Sequence, residues 1–344
     1  MNNEKTIPEL IASRIRRYSS KILFQRRDGW SWKQITWLDF EREVKNIASF
    51  LMDLGFGFGD TALVISSNRM ESISTEIAIH LIGGVTIPIA EDEPRENVVG
   101  IAKEVKVRFI FADKESTLDG IQGIYEEIPT LERLVIFSDV AIRRDYKIIP
   151  FKGVLKLGFL KRKLLEDELV KTSKSVLPNS LATIFFSSNS HSKTERKEVT
   201  QGDLTEVLHS GSRRLSFIGE EDQLFSYLSS ASPFEKLINH FGMYMGARIV
   251  MAETEEDFLG DILEVKPTVL FATKVGLENI RTRISSRVGT GLPGDRLKRE
   301  LGSRIKYVVM DSLPGEEIIK LFLQSGVSLI EIPELNNLVT RSNY

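Results

Sequence analysis

The sequence predicts an α/β protein with parallel, doubly wound sheets, and two observations support this prediction. From residue 60 onward, short apolar segments rich in β-branched residues alternate with amphipathic segments of helical length. Strands and helices that alternate in this way form parallel sheets, because each helix crosses back over the sheet before the next strand. The 344 residues suffice for two or three packed units, and 42% hydrophobic with 27% charged residues is typical of a soluble globular protein.

The pattern of the first sixty residues predicts a helix, then a strand with a turn, and then a second helix. The expected elements are a helix over residues 6–20, a strand and turn over 22–30, and a helix that opens within 35–40. Thr6 and Glu9 have the spacing of a capping box at the start of the first helix. Asp28-Gly29 supplies the residue types that a hairpin turn requires.

The region after residue 60 carries the alternation itself. We expect strands over 62–65, 85–89, 108–112 and 134–137, with helices over 71–81 and 95–104. Asn68 is a residue type that caps helices, and it precedes the first of these helices. A further apolar segment over 181–186 predicts another buried strand.

Residues 151–177 differ in character, because large apolar side chains alternate there with cations. The four central cations are Lys156, Lys161, Arg162 and Lys163. Their spacing fits a basic amphipathic helix, and such a helix can lie on an anionic membrane surface. The simpler alternative is a surface helix that packs one face on the core. It is favoured because Gly158 interrupts the basic amphipathic segment and an acidic run at 166–168 follows at once.

We expect a strand over residues 181–186, then a polar loop, and then a helix that residues 199–204 lead into, which is the layout of many phosphate-binding sites. The loop contains Ser, Asn, His, Lys and Thr, and Asp203 with Glu206 has capping-box spacing at the next helix. The stretch FFSSNSHSKTERKEVTQGDL over 185–204 resembles the signature YTSGTTGNPKGVMLTHGNL of the adenylate-forming superfamily, the acyl-CoA synthetases and their relatives. Aligned from residue 186 without gaps, Ser187 and Ser188 fall on its threonine and serine, and Thr200 falls on its later threonine.

The residues that bind phosphate in that signature are replaced in this chain. The three loop glycines fall on Asn189, Ser192 and Arg196, and the lysine falls on Glu195. Glycine permits the positive φ and close backbone approach that a phosphate loop uses. A carboxylate in place of the lysine repels phosphate by about 4 kcal/mol at about 4 Å and a dielectric of about 20. Lys193, Arg196 or Lys197 could offset part of this repulsion.

Further resemblance is to the long-chain fatty acyl-CoA synthetase branch. Residues 227–236 fall on a branch motif of which Phe234 and Glu235 are retained, whereas Ser232 replaces its histidine. Residues 329–336 fall on a motif that supplies a tyrosine beside adenine, a threonine near phosphate and a glutamate for Mg²⁺. The corresponding positions here are Ile332, Leu335 and Asn336. The resemblance covers nearly the whole chain, but about the first half to two-thirds of a typical synthetase.

The resemblance implies two lobes, one over residues 61–204 and a discontinuous one from 1–60 with 205–344. It implies degenerate nucleotide-site positions at Ser187, Ser188, Lys193, Thr200 and Glu235. We expect no catalytic residue and no metal ligand. The four histidines, at positions 80, 191, 209 and 240, have no mutual spacing of a metal site, and each is expected to be packed or solvated.

Two functional hypotheses follow. The first is a catalytically inactive, truncated acyl-CoA-synthetase-like protein without a cofactor, which binds or scaffolds an acyl chain, an acyl carrier or another protein. The second is one half of a split ligase or a weakly adenylating domain that uses ATP and Mg²⁺. A homodimer or a complex with another protein is expected over the surface around 311–314 and 330–338.

Composition limits the partners and the location. The net charge of −2 gives no case for nucleic-acid binding. The chain contains no cysteine, and its N-terminus lacks the pattern of a signal peptide. We therefore expect a cytoplasmic location.

Overall fold

A computed structural model describes residues 4–113, 123–138, 147–188, 194–228, 231–252, 258–288 and 294–333. The helices are α1 (Ile7–Tyr18), α2 (Trp37–Asp53), α3 (Met70–Leu81), α4 (Arg95–Glu104), α5 (Ile124–Glu127), α6 (Phe151–Ser175), α7 (Gln201–Arg214), α8 (Pro233–Met245), α9 (Phe258–Val265), α10 (Lys274–Val288), α11 (Gly294–Glu300) and α12 (Glu316–Gln324). The strands are β1 (Ile22–Asp28), β2 (Ser31–Thr36), β3 (Thr61–Ile65), β4 (Val85–Ile89), β5 (Phe109–Ala112), β6 (Arg133–Ile136), β7 (Ile148–Pro150), β8 (Leu181–Ser188), β9 (Thr194–Thr200), β10 (Gln223–Ser226), β11 (Arg248–Met251), β12 (Val269–Ala272), β13 (Tyr307–Met310) and β14 (Ser328–Glu331).

The strands form two seven-stranded sheets, which confirms the predicted two-lobed α/β fold. One sheet has the order β7-β6-β5-β3-β4-β8-β9, and the other has the order β14-β13-β12-β10-β11-β1-β2. All neighbouring strands are parallel except the edge pairs β8 with β9 and β1 with β2. The strands of the first sheet come from residues 61–200, and those of the second come from 22–36 and 223–331. The lobe boundaries at residues 61 and 204 remain a prediction.

One hydrophobic core joins the two sheets. Its largest cluster includes side chains of α1, α2, α3, α7 and α8 together with strands of both sheets. Helix α8 is buried continuously from Pro233 to Met243, and α3 is buried over almost its whole length. These two helices are the innermost layer of the protein, so polar residues on them are withdrawn from water.

The predicted N-terminal cap is confirmed at helix α1 and is wrong at helix α3. The Glu9 backbone N–H donates to Thr6 Oγ1 at 3.3 Å, which confirms the predicted cap of α1. The predicted cap at Asn68 is wrong, because Arg69 occupies the N-cap position of α3. Asn68 Nδ2 instead donates to Ser226 Oγ at 2.7 Å. This hydrogen bond joins the ends of β3 and β10, which belong to different sheets.

Helix α6 spans 25 residues and packs along α2. The prediction that Gly158 interrupts this helix is wrong, because the helix runs through it. A Cβ at Gly158 would lie 1.8 Å from the carbonyl oxygen of Asn46, so the glycine allows α6 to touch the α2 backbone. Val154 and Leu169 bury the same side of the helix. In the part of the chain that the structure describes, no helix is long and apolar enough to cross a lipid bilayer.

Candidate functional site

The predicted phosphate-binding stretch forms the two strands of a β-hairpin. Strand β8 pairs with β9 so that Ser187 is opposite Glu195 and Ser188 is opposite Thr194. Because β8 is parallel to β4, these serines lie at the carboxyl edge of the sheet, where open α/β sheets bind ligands. Lys193 lies outside the described residues.

Thr200 lies at the opposite end of this hairpin. It is paired with Leu181, seven residues before Ser188, which corresponds to roughly 20 Å at the usual rise of a strand. Its hydroxyl accepts from the Asp203 backbone N–H at 3.1 Å and donates to Asp203 Oδ2 at 2.7 Å. The predicted N-cap at Asp203 is therefore wrong: Thr200 is the N-cap of α7, and Asp203 is the third helical residue that closes the capping box.

Glu235, in the first turn of α8, is fully buried at the carboxyl edge. Its carboxyl group accepts hydrogen bonds from Ser226 Oγ, from the Leu228 backbone N–H at 2.9 Å and from Asn239 Nδ2 at 3.3 Å. Burial raises its pKa to about 7, although these hydrogen bonds act in the opposite direction. Since Ser226 also accepts from Asn68, Glu235 belongs to a buried polar chain that joins the two sheets.

The structure therefore describes four of the five predicted positions, and it places Thr200 apart from the other three. Ser187, Ser188 and Glu235 lie at carboxyl edges of strands, Thr200 lies at the other end of β8, and Lys193 is outside the described residues. Ile332, which stands at the position of the adenine-side tyrosine in the family motif, also lies on the carboxyl side. It is fully buried and packs toward Gly211. Leu335 and Asn336 lie outside the described residues.

A second polar cluster lies between α3 and α8. It consists of Glu76 and His80 on α3 and Lys236 and His240 on α8, and all four side chains are buried. The Lys236 ammonium contacts Glu76 Oε2, and His240 Nε2 lies 3.9 Å from Glu76 Oε1. His80 Nε2 lies 2.9 Å from the carbonyl oxygen of Ala182. Glu76 with His80, and Lys236 with His240, each have i,i+4 spacing on an apolar helix, which is the sequence signal for this cluster.

Burial and charge set the protonation of this cluster. Burial alone would raise the pKa of Glu76, but the adjacent Lys236 ammonium lowers it to about 2. Burial lowers the pKa of His80 to about 4 and also lowers the pKa of His240, and Glu76 opposes both shifts. At neutral pH the cluster is thus a Glu76–Lys236 ion pair flanked by two neutral imidazoles.

Glu76, His80 and His240 are also the types of residue that bind transition metals. One ligand atom from each lies within 4.8 Å of the others. Lys236 already supplies the counter-charge of Glu76, so the four side chains balance their charge without a cation. The geometry therefore favours a buried ion-pair network that joins helices of the two lobes.

Comparisons with known proteins agree with this fold. The family described as AMP-binding enzyme matches residues 12–325 of the chain. The chain is 19% identical over 276 residues to the long-chain-fatty-acid–CoA ligase ACSBG1 of Rattus norvegicus. The aligned region covers 78% of this chain and 37% of that protein. It is 20% identical over 272 residues to the long-chain-fatty-acid–CoA ligase FadD15 of Mycobacterium tuberculosis, and that alignment covers 75% of this chain and 42% of FadD15. The chain thus spans about two-fifths of the length of these relatives.

Solved structures show the same architecture at low identity. The anthranilate CoA ligase AuaEII, in complex with anthranoyl-AMP, superimposes with a TM-score of 0.73 and 14% identity over 94% of this chain and 58% of its own. The N-terminal domain of FACL13 from Mycobacterium tuberculosis gives a TM-score of 0.68 and 13% identity over 95% of this chain and 75% of its own. These two structures share the fold of the chain, and the family match over residues 12–325 shows that the chain belongs to the AMP-binding enzyme family.

Proposed function

We propose that this protein is a catalytically inactive acyl-CoA-synthetase-like protein that acts as a binding or scaffolding partner in fatty acyl metabolism. The observation that carries the proposal is Glu195, which replaces the lysine of the family signature and lies in β9 opposite Ser187. Its side chain is exposed beside the carboxyl edge where phosphate would bind. A carboxylate there disfavours a polyphosphate by several kcal/mol, on the order of 4 kcal/mol at about 4 Å.

Two further observations support the loss of catalysis. The three loop glycines of the signature are replaced by Asn189, Ser192 and Arg196, and serine and arginine disfavour the positive φ that glycine permits. Ile332, at the adenine-side position, is packed into the core and has no ring to stack on a purine. Under this proposal the protein uses no cofactor, resides in the cytoplasm, and has as its partner another protein, a second copy of itself, an acyl chain or an acyl carrier.

The second candidate is the adenylating half of a split ligase, or a weakly active fatty acid–CoA ligase that uses ATP and Mg²⁺. The retained carboxyl edge favours it, because Ser187 and Ser188 keep the positions of the signature and the buried Glu235 is retained. Lys197 could supply positive charge in β9, whereas Arg196 is paired with Glu198 at about hydrogen-bond distance. This candidate requires the cations to outweigh Glu195.

ATP–pyrophosphate exchange separates the two candidates. The protein is incubated with Mg·ATP, labelled pyrophosphate and saturated fatty acids of different lengths, and we expect no exchange above a no-protein control. Exchange that depends on the fatty acid would refute the inactive reading and support the ligase reading. Glu195→Lys tests whether the carboxylate of Glu195 is what prevents phosphate binding, because this variant should increase the affinity for nucleotide. Glu206→Lys is its matched control, since it makes the same charge change on an exposed residue of α7.

A further inference from the structure

Helix α6 presents an apolar stripe to the outside of the protein. Leu157, Leu160 and Leu164 follow one another at i, i+3 and i+7, so they line one face of the helix. Their exposed fractions are 46%, 65% and 79%, and the nearby Phe159 is 60% exposed. Four large apolar side chains so exposed within eight residues form a patch of the kind that marks an interaction site.

The same part of the helix is strongly basic. Between residues 151 and 165 there are five cations and no acidic residue, namely Lys152, Lys156, Lys161, Arg162 and Lys163. Lys161 pairs with Asp53 at 2.9 Å, and the Arg162 guanidinium lies over the Phe159 ring. Lys156 and Lys163 are exposed, and at 100° per residue both lie along one side of the apolar stripe. We call Leu157, Leu160, Leu164, Lys156 and Lys163 the α6 face.

The protein cannot bury the α6 face by rotating the helix. Gly158, on the opposite side, is in contact with the backbone of Asn46, and any turn of α6 would bring a side chain into that contact. Val154 and Leu169 fix the same buried side. The fold thus holds the leucines and lysines outward on a rigid support.

We propose that the α6 face binds the surface of an anionic lipid bilayer. Its leucines match the acyl region beneath the headgroups, and its lysines match anionic phosphate groups, which attract each nearby cation by about 1 kcal/mol. Lysine stems can lie along the apolar surface while the ammonium groups stay at headgroup level. The positive charge of the α6 face favours an anionic bilayer over a neutral or basic protein surface. The proposal does not depend on whether the protein retains catalysis.

The test uses the full chain and lipid vesicles. We expect the protein to float with vesicles of phosphatidylcholine that contain phosphatidylserine, to stay unbound with phosphatidylcholine alone, and to dissociate as salt is raised. Leu160→Asp and the double variant Lys156→Glu with Lys163→Glu should each weaken binding by more than about tenfold. Circular dichroism verifies that the variants remain folded.

Leu323→Asp on α12 is the matched control, because Leu323 is 65% exposed, as Leu160 is. It should leave vesicle binding unchanged. The proposal is overturned if the wild-type protein does not bind anionic vesicles, or if Leu323→Asp weakens binding as much as Leu160→Asp. It is also overturned if Leu160→Asp dissociates a protein dimer in the absence of lipid while vesicle binding persists, which would assign the face to a second copy of the chain.

Discussion

Replacement of Lys236 by methionine is predicted to destabilise the protein by leaving Glu76 without its counter-charge. The side chains of Lys236 and Glu76 are only 10% and 6% exposed, so water cannot replace the lost ammonium. Removing one partner of a buried ion pair costs about 3–5 kcal/mol. The loss should shrink as pH falls, because Glu76 can then take up a proton, or His240, 3.9 Å away, can become charged.

The assay is urea unfolding followed by tryptophan fluorescence at several pH values. Lys320→Met is the matched control, because Lys320 pairs with Glu316 at 3.7 Å where both side chains are largely exposed, at 73% and 89%. This surface pair should contribute less than about 1 kcal/mol. Lys236→Met combined with Glu76→Gln removes both charges and should recover most of the lost stability. The reasoning is refuted if the single variant resembles the surface control, or if the double variant is no more stable than the single.

Three further predictions concern helix packing, a buried acid and a helix cap. Gly158→Ala should lower the free energy of unfolding by about 2 kcal/mol, because the new Cβ would meet the Asn46 backbone. Gly153→Ala should raise it by about 0.5–1 kcal/mol, because the nearest atom to its Cβ would be 3.4 Å away. Equal effects of the two variants in urea titrations would contradict the packing account. The pKa of Glu235 is raised from 4.5 to about 7, so its protonated form stabilises the native state at low pH, and this contribution of about 3 kcal/mol is lost as pH rises from 4.5 through 7. Glu235→Gln should therefore gain stability relative to wild type over that range, and a constant difference across the pH series would count against the raised pKa. Thr200→Ala should cost about 1 kcal/mol in the same titration through loss of the α7 cap, and an unchanged midpoint would show that the cap is not stabilising.

The regular elements could be predicted from the sequence because their signals are local. Alternating apolar segments identified strands such as β3 and β4, and the spacing of Thr6 and Glu9 identified the start of α1. Strand β9 could not be predicted in the same way, because TERKEVT is polar and resembles a loop until β8 pairs with it. The sequence predicts the cap of α7 one turn too late, because Thr200 and Asp203 are both capping residue types and each occupies its own position in one capping box.

The polar contacts between the lobes could not be predicted, because they join residues far apart in the sequence. Lys236 and Glu76 are separated by 160 positions, and Asn68 and Ser226 by 158. Each helix alone shows only charged residues on an apolar background. Gly158 was similarly ambiguous, since the glycine that weakens an isolated helix permits close packing when another backbone lies against it.

Calorimetric titration of the protein with Mg·ATP tests the central claim most directly, because it measures nucleotide binding without requiring catalysis. The account predicts no measurable heat of binding for the wild-type chain, since Glu195 and the missing glycines disfavour phosphate at the carboxyl edge of β8. A dissociation constant in the micromolar range, corresponding to about −8 kcal/mol, would contradict it. That result would show that the hairpin still binds phosphate and would favour a working adenylating domain.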